Sequence, residues 1–273
     1  MRQRPFLAAG LAAFILVGVS ACDVQVGGEG LSVGLAAGRA QDTWTRSYAL
    51  DRGGRLELVN VNGKITAEPS DGDTVELVGA RTARAGSDDG AKELLDRVEM
   101  REETGSSRVR VEVRAPRTFG MSSVQVEWTL KVPRGVVLDL RNVNGRIQAN
   151  GVEGDLHAKT VNGGVEGRGL KLETLEASTV NGGVDIALEA PLPGTGSVTL
   201  ESVNGGVALS LPEASRASVS ARVTNGGVRV DGLDFQLTGE QTRRRFEGTL
   251  NGGGTRVSLE TTNGGARISK STS

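Results

Sequence analysis

Few side chains in this 273-residue chain have the types and spacing that nucleophilic or metal-assisted catalysis needs. The single histidine, His157, lies five residues before Asn162, at a position whose alternation with apolar neighbours predicts exposure to solvent. Ser-His and Cys-His arrangements need a histidine beside the nucleophile, and zinc sites need several His or Cys ligands. Because the chain has one histidine and one cysteine, we predict neither kind of site.

Paired carboxylates could still cleave glycosidic bonds, as they do in some enzymes built on a β-helix. Asp71 and Asp73 flank a glycine, and Asp88 and Asp89 open a predicted short helix. Turn formation and helix capping account for both pairs without catalysis. The glycine-rich segments also match no phosphate-loop or calcium-repeat pattern. We therefore predict no catalytic residue, no cofactor and no metal. A polysaccharide-acting enzyme is the alternative from another class, and it requires acidic side chains that converge on one outer face.

The segment "TRRRF" contains the one compact basic run, from Arg243 to Arg245. Such a run could contact an anionic glycan, a lipid head group or a partner protein, although a solvated loop is its commoner setting. The net charge of −1 and the pI near 6.0 lack the basic footprint of a nucleic-acid-binding protein. We predict no nucleic-acid partner.

The first residues have the pattern of a bacterial export signal. Residues 1–5 are cationic, and residues 6–19 form an apolar run that is too short to span a bilayer of about 30 Å. The cysteine follows at once in "VSAC", which resembles the lipobox whose cysteine becomes the lipidated first residue of a mature lipoprotein. We predict a signal peptide over 1–21, lipidation at Cys22 and a flexible glycine-rich tether over 22–41. The protein would then be anchored to a membrane of the bacterial envelope, facing the periplasm or the exterior.

An Asn-Gly element recurs along the rest of the chain, each time with the same pattern of flanking apolar residues. Between Asn144 and Asn225 its spacing is about 20 residues, which indicates a structural repeat. Apolar residues stand six and four residues before each asparagine, and three and often five residues after it. The repeated asparagines are Asn62, Asn144, Asn162, Asn181, Asn204, Asn225 and Asn263. Asn251 lacks the flanking pattern, and we predict that it lies in a loop.

Each repeat is predicted to be a strand, an Asn-Gly corner and a second strand. Alternation indicates strands with one buried face, and Asn and Gly both tolerate the positive φ that we expect at the corner. Two all-β architectures fit. In a β-solenoid, equivalent residues stack about 4.8 Å apart and the asparagines can form a ladder. In a β-meander or sandwich, each repeat is a hairpin. The residue before asparagine is Val five times and Thr twice, which favours the solenoid.

The segment between Asn62 and Asn144 lacks the repeat but is also predicted to be mainly β. Strands are indicated at 73–83, 107–116 and 122–133, and a short helix at 87–97 with a cap at Ser87 or Asp88. An exposed solenoid end would be an open sheet edge. We therefore expect this segment to cover or extend one end of the array.

The recurring "TVNGGV", together with "VEWTLKVPRGVVLDLRNVNGRI" and "GGGTRVSLETTNGGARI", resembles the DUF4097 family of adhesin or Toastrack-domain proteins. The resemblance covers about 42–273, with Thr in place of Val before two of the asparagines. It implies a single solenoid-like domain displayed at bacterial envelopes, and it supplies no catalytic residues. We predict a non-enzymatic lipoprotein that binds an envelope protein or a surface glycan, in adhesion or envelope-stress sensing. The alternative is a structural spacer or scaffold without a specific ligand.

Overall fold

The computed structural model describes residues 38–118, 120, 122–239 and 241–271. The predicted signal peptide, Cys22 and most of the predicted tether lie outside these residues. Within them, the chain forms one helix, α1 (Asp88–Asp96), and 21 strands in two sheets. The strands are β1 (Gly38–Ala49), β2 (Arg55–Val59), β3 (Ile65–Pro69), β4 (Thr74–Ala85), β5 (Glu99–Thr104), β6 (Arg108–Arg114), β7 (Ser123–Val132), β8 (Val137–Arg141), β9 (Ile147–Asn150), β10 (Leu156–Asn162), β11 (Val165–Leu170), β12 (Thr174–Asn181), β13 (Val184–Leu188), β14 (Ser197–Asn204), β15 (Val207–Leu211), β16 (Ala217–Asn225), β17 (Val228–Asp231), β18 (Gln236–Leu237), β19 (Arg245–Leu250), β20 (Thr255–Asn263) and β21 (Ala266–Lys270).

Each repeat contributes one strand to each sheet, so it forms one coil of a solenoid. Sheet A has the order β1-β4-β7-β3-β9-β11-β13-β15-β21-β17, and sheet B has the order β18-β19-β16-β20-β14-β12-β10-β8-β2-β6-β5. In the coil of Asn181, β12 lies in sheet B and β13 lies in sheet A. Leu175 of β12 pairs in parallel register with Leu156 of one neighbouring coil and Val198 of the other. A hairpin would instead pair β12 with β13, so the solenoid prediction is confirmed and the hairpin alternative is wrong.

The core lies between the two sheets and consists of apolar side chains stacked on equivalent side chains. In the coil of Asn181, Leu175 and Ala177 point inward from sheet B, and Val184 and Ile186 point inward from sheet A. None of the four is more than 1% exposed. Burial of such side chains stabilises a domain by about 1.5–3 kcal/mol for each Val, Leu or Ile. The apolar residues stand an even number of positions before the asparagine and an odd number after it, and this change at the corner keeps the apolar residues of both strands in the core.

The spatial order of the coils differs from their order in the chain. The last coil, β20 and β21, lies between the coil of β14 and β15 and the coil of β16 and β17. The chain achieves this insertion through β19, which runs antiparallel along the outer edge of β16 and so covers that end of sheet B. The loop from β19 to β20 contains Asn251, as predicted for this residue, and its side-chain amide donates to the carbonyls of Glu213 and Ser215.

The segment between the first two coils extends both sheets beyond β2 and β3. In sheet A, β7 pairs in parallel with β3, and β4 and β1 follow in antiparallel order. In sheet B, β6 pairs in parallel with β2, and β5 pairs antiparallel with β6. The prediction that this segment extends one end of the array is confirmed. We call β1, β4, β5, β6, β7 and α1 together the N-terminal extension.

The predicted helix and its cap are present in this extension. Ser87 is the N-cap of α1, and its hydroxyl accepts from the backbone N–H of Gly90 at 3.1 Å. The sequence patterns did not indicate β5 or β1, because most side chains of both strands are exposed and alternation is therefore weak. Strand β1 begins at Gly38, so residues 38–41, assigned to the tether, belong to this strand.

Candidate partner-binding face

The corner asparagines form a continuous hydrogen-bonded ladder along the solenoid. The Nδ2 of Asn181 donates to Oδ1 of Asn162 at 2.8 Å, and its Oδ1 accepts from Nδ2 of Asn204 at 3.0 Å. At one end of the ladder, Nδ2 of Asn62 donates to the backbone carbonyl of Val124 at 3.1 Å. All seven predicted corner asparagines are members, in the order Asn62, Asn144, Asn162, Asn181, Asn204, Asn263 and Asn225.

Glycine, and not asparagine, provides the unusual backbone conformation of the corner. Gly182 has a φ of 158°, and a Cβ there would lie 2.1 Å from the carbonyl oxygen of Gly163 in the next coil. Among the described residues, the one non-glycine residue with positive φ is Asn251, in its loop. The positive φ expected at this corner is therefore supplied by Gly182 and not by Asn181. The corner asparagines occupy their position because their side chains can both donate and accept along the stack.

The second glycine of the motif is under a weaker constraint. A Cβ at Gly183 would lie 3.3 Å from the carbonyl oxygen of Gly206, which is a tight but possible contact. The first two coils have Lys64 and Arg146 at the equivalent position. Close approach of neighbouring coils therefore requires glycine at the first position only.

The residue before six of the seven corner asparagines is exposed to solvent, and these residues form a row along the coils. We call the four consecutive valines of this row, which lie on adjoining coils, the valine row. Their exposed fractions lie between 39% and 43%. They are Val143, Val161, Val180 and Val203. In the last two coils of the stack Thr262 and Thr224 take the same position.

Hydroxyl groups beneath the valine row hold adjacent corners together. Thr179 is buried, and its Oγ1 donates to the carbonyl of Gly163 at 2.7 Å. Equivalent hydroxyls in three other coils make the same bond, at 2.7 to 3.0 Å: Thr160, Ser202 and Thr261. These contacts fix the spacing of the valines above them, so the row is a rigid feature.

A shallow groove of about 430 Å³ runs beside the valine row on the outer face of sheet B. Its far side carries Lys159, Ser178, Glu201, Glu260 and Arg222, one from each successive coil. The charged side chains are exposed, whereas Ser178 is 8% exposed and its Oγ has no hydrogen-bond partner among the described residues. The groove therefore combines an apolar wall with a charged rim, and the Ser178 hydroxyl is buried beneath its surface.

A buried carboxylate marks the other end of this outer face. Glu57 is 2% exposed and forms ion pairs with Arg108 and Arg110, and its Oε1 lies 3.8 Å from Nη1 of Arg141. Its hydrogen bond raises the pKa of the Arg108 guanidinium. The three arginines join β6, β2 and β8, which is a structural role at the junction of extension and coils. Sequence reasoning missed this cluster, because its position in an alternating strand predicts exposure.

Comparison with known proteins identifies the repeated part of the chain. Residues 136–269, from just before β8 through almost all of β21, match the family model described as Toastrack DUF4097. The chain therefore contains a Toastrack DUF4097 domain.

Solved structures resemble the protein over most of its length. A Clostridium sporogenes protein described as a "putative cell adhesion protein" is 14% identical, with a TM-score of 0.51, and the match covers 84% of this chain and 100% of that one. A "putative adhesin" from Bacteroides fragilis is 13% identical, with a TM-score of 0.42, and the match covers 84% and 97%. The first likeness shows a shared fold. No curated protein matches the chain.

The histidine and the carboxylates considered in the sequence analysis lie on the surface or in turns, and they do not converge on one site. His157 lies on the outer face, with Nδ1 3.4 Å from Oε2 of Glu176. Asp88 accepts from the backbone N–H of Arg39 at 3.0 Å. Asp89 is exposed in the first turn of α1, and Asp71 and Asp73 are exposed in the turn between β3 and β4. In the described ranges, no group of three or more His, Cys, Asp or Glu side chains could hold a metal.

The basic run contributes its backbone to the end of the Toastrack domain. The carbonyls of Arg243 and Arg244 accept from the backbone N–H groups of Val228 and Val223, each at 2.9 Å. These bonds satisfy the outer edge of the last coil in the stack, while the arginine side chains are exposed. In the part of the chain that the structure describes, no helix is long and apolar enough to cross a membrane.

Proposed function

We propose that the protein is a non-enzymatic lipoprotein of the bacterial envelope that binds an envelope protein through the valine row, in adhesion or envelope-stress sensing. The observation that carries this proposal is the valine row itself, four valines on adjoining coils that are each 39–43% exposed. Single exposed apolar residues are common on protein surfaces, but contiguous rows mark interaction sites.

The fold does not require valine at this position. Thr224 and Thr262 occupy it in the last two coils, and their strands keep the same parallel register and the same ladder contacts. Threonine has nearly the shape of valine and the same branching at Cβ. The valines are therefore best accounted for by contact with another molecule.

The groove beside the row favours a protein segment as that molecule. Protein interfaces have an apolar centre and a polar rim, and here the valines lie next to the charged groups of Lys159 and Glu201. Aromatic residues make up only 3% of the chain, which disfavours a surface glycan, because sugars commonly stack on aromatic rings.

A variant that replaces the row by threonine tests the proposal. In Val161→Thr, Val180→Thr, Val203→Thr combined, we expect unchanged thermal unfolding and a loss of about tenfold or more in binding of the purified domain to native envelopes, since tenfold corresponds to about 1.4 kcal/mol. Chemical crosslinking followed by mass spectrometry identifies the partner. Leu237→Ser is the matched control, because Leu237 is 55% exposed but lies at the far edge of sheet B. Equal binding by the triple variant contradicts the role of the row, and no binding by the wild type supports a scaffold.

The anchor has its own test. Cys22 lies outside the described residues, and its proposed lipidation rests on "VSAC" after the apolar run. We expect Cys22→Ser to move the protein from the membrane fraction to the soluble fraction after cell breakage. Full retention in the membrane fraction would contradict anchoring through this residue.

A further inference from the structure

Strand β1 presents a long sheet edge. It is the outermost strand of sheet A, and no described strand pairs with its outer side. Its 12 residues pair with β4 in one unbroken register and contain no proline. Proteins usually protect such edges. The other edges here are short or charged: β18 has two residues, β17 has four, and β5 reads EMREET.

The direction of the free backbone groups follows from the bonds of neighbouring strands. The N–H of Trp128 in β7 donates to the carbonyl of Lys64, on the side away from β4. Antiparallel pairs alternate in direction at every residue, so the even-numbered residues of β1 bond to β4 and the odd-numbered residues point outward. Arg39 is odd-numbered too, and its N–H also points away from β4, since it donates to Oδ1 of Asp88. The open edge therefore offers the N–H and C=O groups of Gln41, Thr43, Thr45 and Ser47, and of these the Thr45 carbonyl also accepts from Nη1 of Arg46 at 2.9 Å.

The charge order along β1 is complementary to itself. When β1 is reversed about Trp44, Asp42 faces Arg46, Thr43 faces Thr45, and Gln41 faces Ser47. Asp42 already pairs with Arg81, and Nε of Arg46 lies 3.4 Å from Oε1 of Glu102.

Two strands arranged in this way would complete a row of alternating charge across the join. A random partner strand would have no reason to match this order. The self-complementary order is what singles out a second copy as the occupant.

We propose that two copies of this chain associate through β1, antiparallel about a two-fold axis at Trp44, so that their A sheets become one continuous sheet. The outward residues then form hydrogen-bonded pairs, Thr43 with Thr45 and Gln41 with Ser47 of the second copy. Trp44 meets Trp44 of the second copy as a cross-strand aromatic pair. The contact is isologous, as in most homodimers, and it closes without further growth.

Mass measurement of the full mature chain in solution gives the first test. We expect a dimer for the wild type by light scattering after size-exclusion chromatography, and a monomer for Thr43→Pro. The Thr43 N–H points outward, so proline removes an edge donor without removing a bond to β4. Thr43→Ser is the matched control and should remain dimeric. A wild type that stays monomeric at all accessible concentrations, or a Thr43→Pro variant that is folded and still dimeric, would overturn the proposal.

Cysteine crosslinking tests the register even if the proline variant fails to fold. In a Cys22→Ser background, Thr43→Cys and Thr45→Cys chains should form a disulfide when mixed, and far less when each is alone, because each of these positions faces the other in the second copy. Equal crosslinking in all three samples overturns the register. A monomer whose edge amides are protected from hydrogen exchange would show that the edge is occupied by residues of the same chain, and that outcome also overturns the proposal.

Discussion

The coils and the N-terminal extension solve the same problem, the covering of one face of a sheet, in different ways. In the coils from β8 to β21, each strand pairs in parallel with the equivalent strands of the neighbouring coils, and only β18 and β19 at the end of sheet B pair antiparallel. In the extension, β1, β4 and β7 are antiparallel, and α1 packs against β1 and β4. The coils depend on repetition, whereas the extension depends on contacts that occur once.

The single contacts of the extension involve large or ionisable side chains. The rings of Trp44 and Trp128 meet edge to face with centroids 5.5 Å apart, and the Tyr48 hydroxyl donates to Oε2 of Glu102 at 2.6 Å. Burial and this hydrogen bond raise the pKa of Tyr48 above its usual range. No single residue of the coils contributes as much to stability, since equivalent residues of the adjoining coils make the same contacts above and below it. Damage should therefore be concentrated in the extension and distributed in the coils.

Truncation of the central tryptophan of the extension should have the largest effect. Trp128 is 1% exposed and fills the space over Gly79, so Trp128→Ala should lower the free energy of unfolding by about 3–5 kcal/mol. Hydrogen exchange should show protection lost in β1, β4 and β7 more than in β12 to β15. Trp128→Phe is the control, and it should cost less because it also removes an Nε1–H that has no partner among the described residues. Equal loss of protection in both regions would refute the contrast.

The two glycines of one corner should respond differently to the same methyl group. Gly182→Ala places a Cβ against the carbonyl of Gly163 at positive φ and should cost roughly 2–4 kcal/mol by denaturant unfolding. Gly183→Ala should stay within about 1 kcal/mol of the wild type, because a shift of a few tenths of an ångström relieves its 3.3 Å contact with the Gly206 carbonyl and the substitution also restricts the unfolded chain. Similar costs for the two variants would mean that the corner is not held by contact between adjacent coils.

Loss of one ladder asparagine should have the smallest effect. Asn181→Ala removes two exposed side-chain hydrogen bonds and should cost about 1–2 kcal/mol in thermal or denaturant unfolding. Asn225, at the end of the stack, donates one ladder bond, so Asn225→Ala should cost about half as much. A larger cost at Asn225 than at Asn181 would show that the ladder contributes little and that the end of the stack is held by other contacts.

The regular part of the fold could be predicted because its information is local. Leu175, Ala177, Val184 and Ile186 alternate around Asn181, and repetition of that pattern indicates both the buried face and the stacking. The valines before the asparagines were visible as a repeated residue, but their exposure depended on the corner geometry. Prediction failed for β1 and for Glu57, because their environments are created by strands that lie far away in the sequence.

The order of the coils was also beyond prediction from the sequence. Val257, Leu259, Ala266 and Ile268 have the same alternation as every other coil, so they fit equally well at any place in the stack. What decides their place is the return of the chain along β19, and the sequence before β19 contains no repeat that would reveal it.

The inserted last coil has a consequence for how the protein is made. During synthesis the coil of Asn225 emerges before the coil of Asn263, yet it has no parallel neighbour until that later coil enters between it and the coil of Asn204. Folding can proceed coil by coil as far as Asn204 and must then wait until β20 and β21 have been synthesised. A product that stops before β20 would lose two coils from the stack, the coil of Asn263 and the coil of Asn225 that it holds in place.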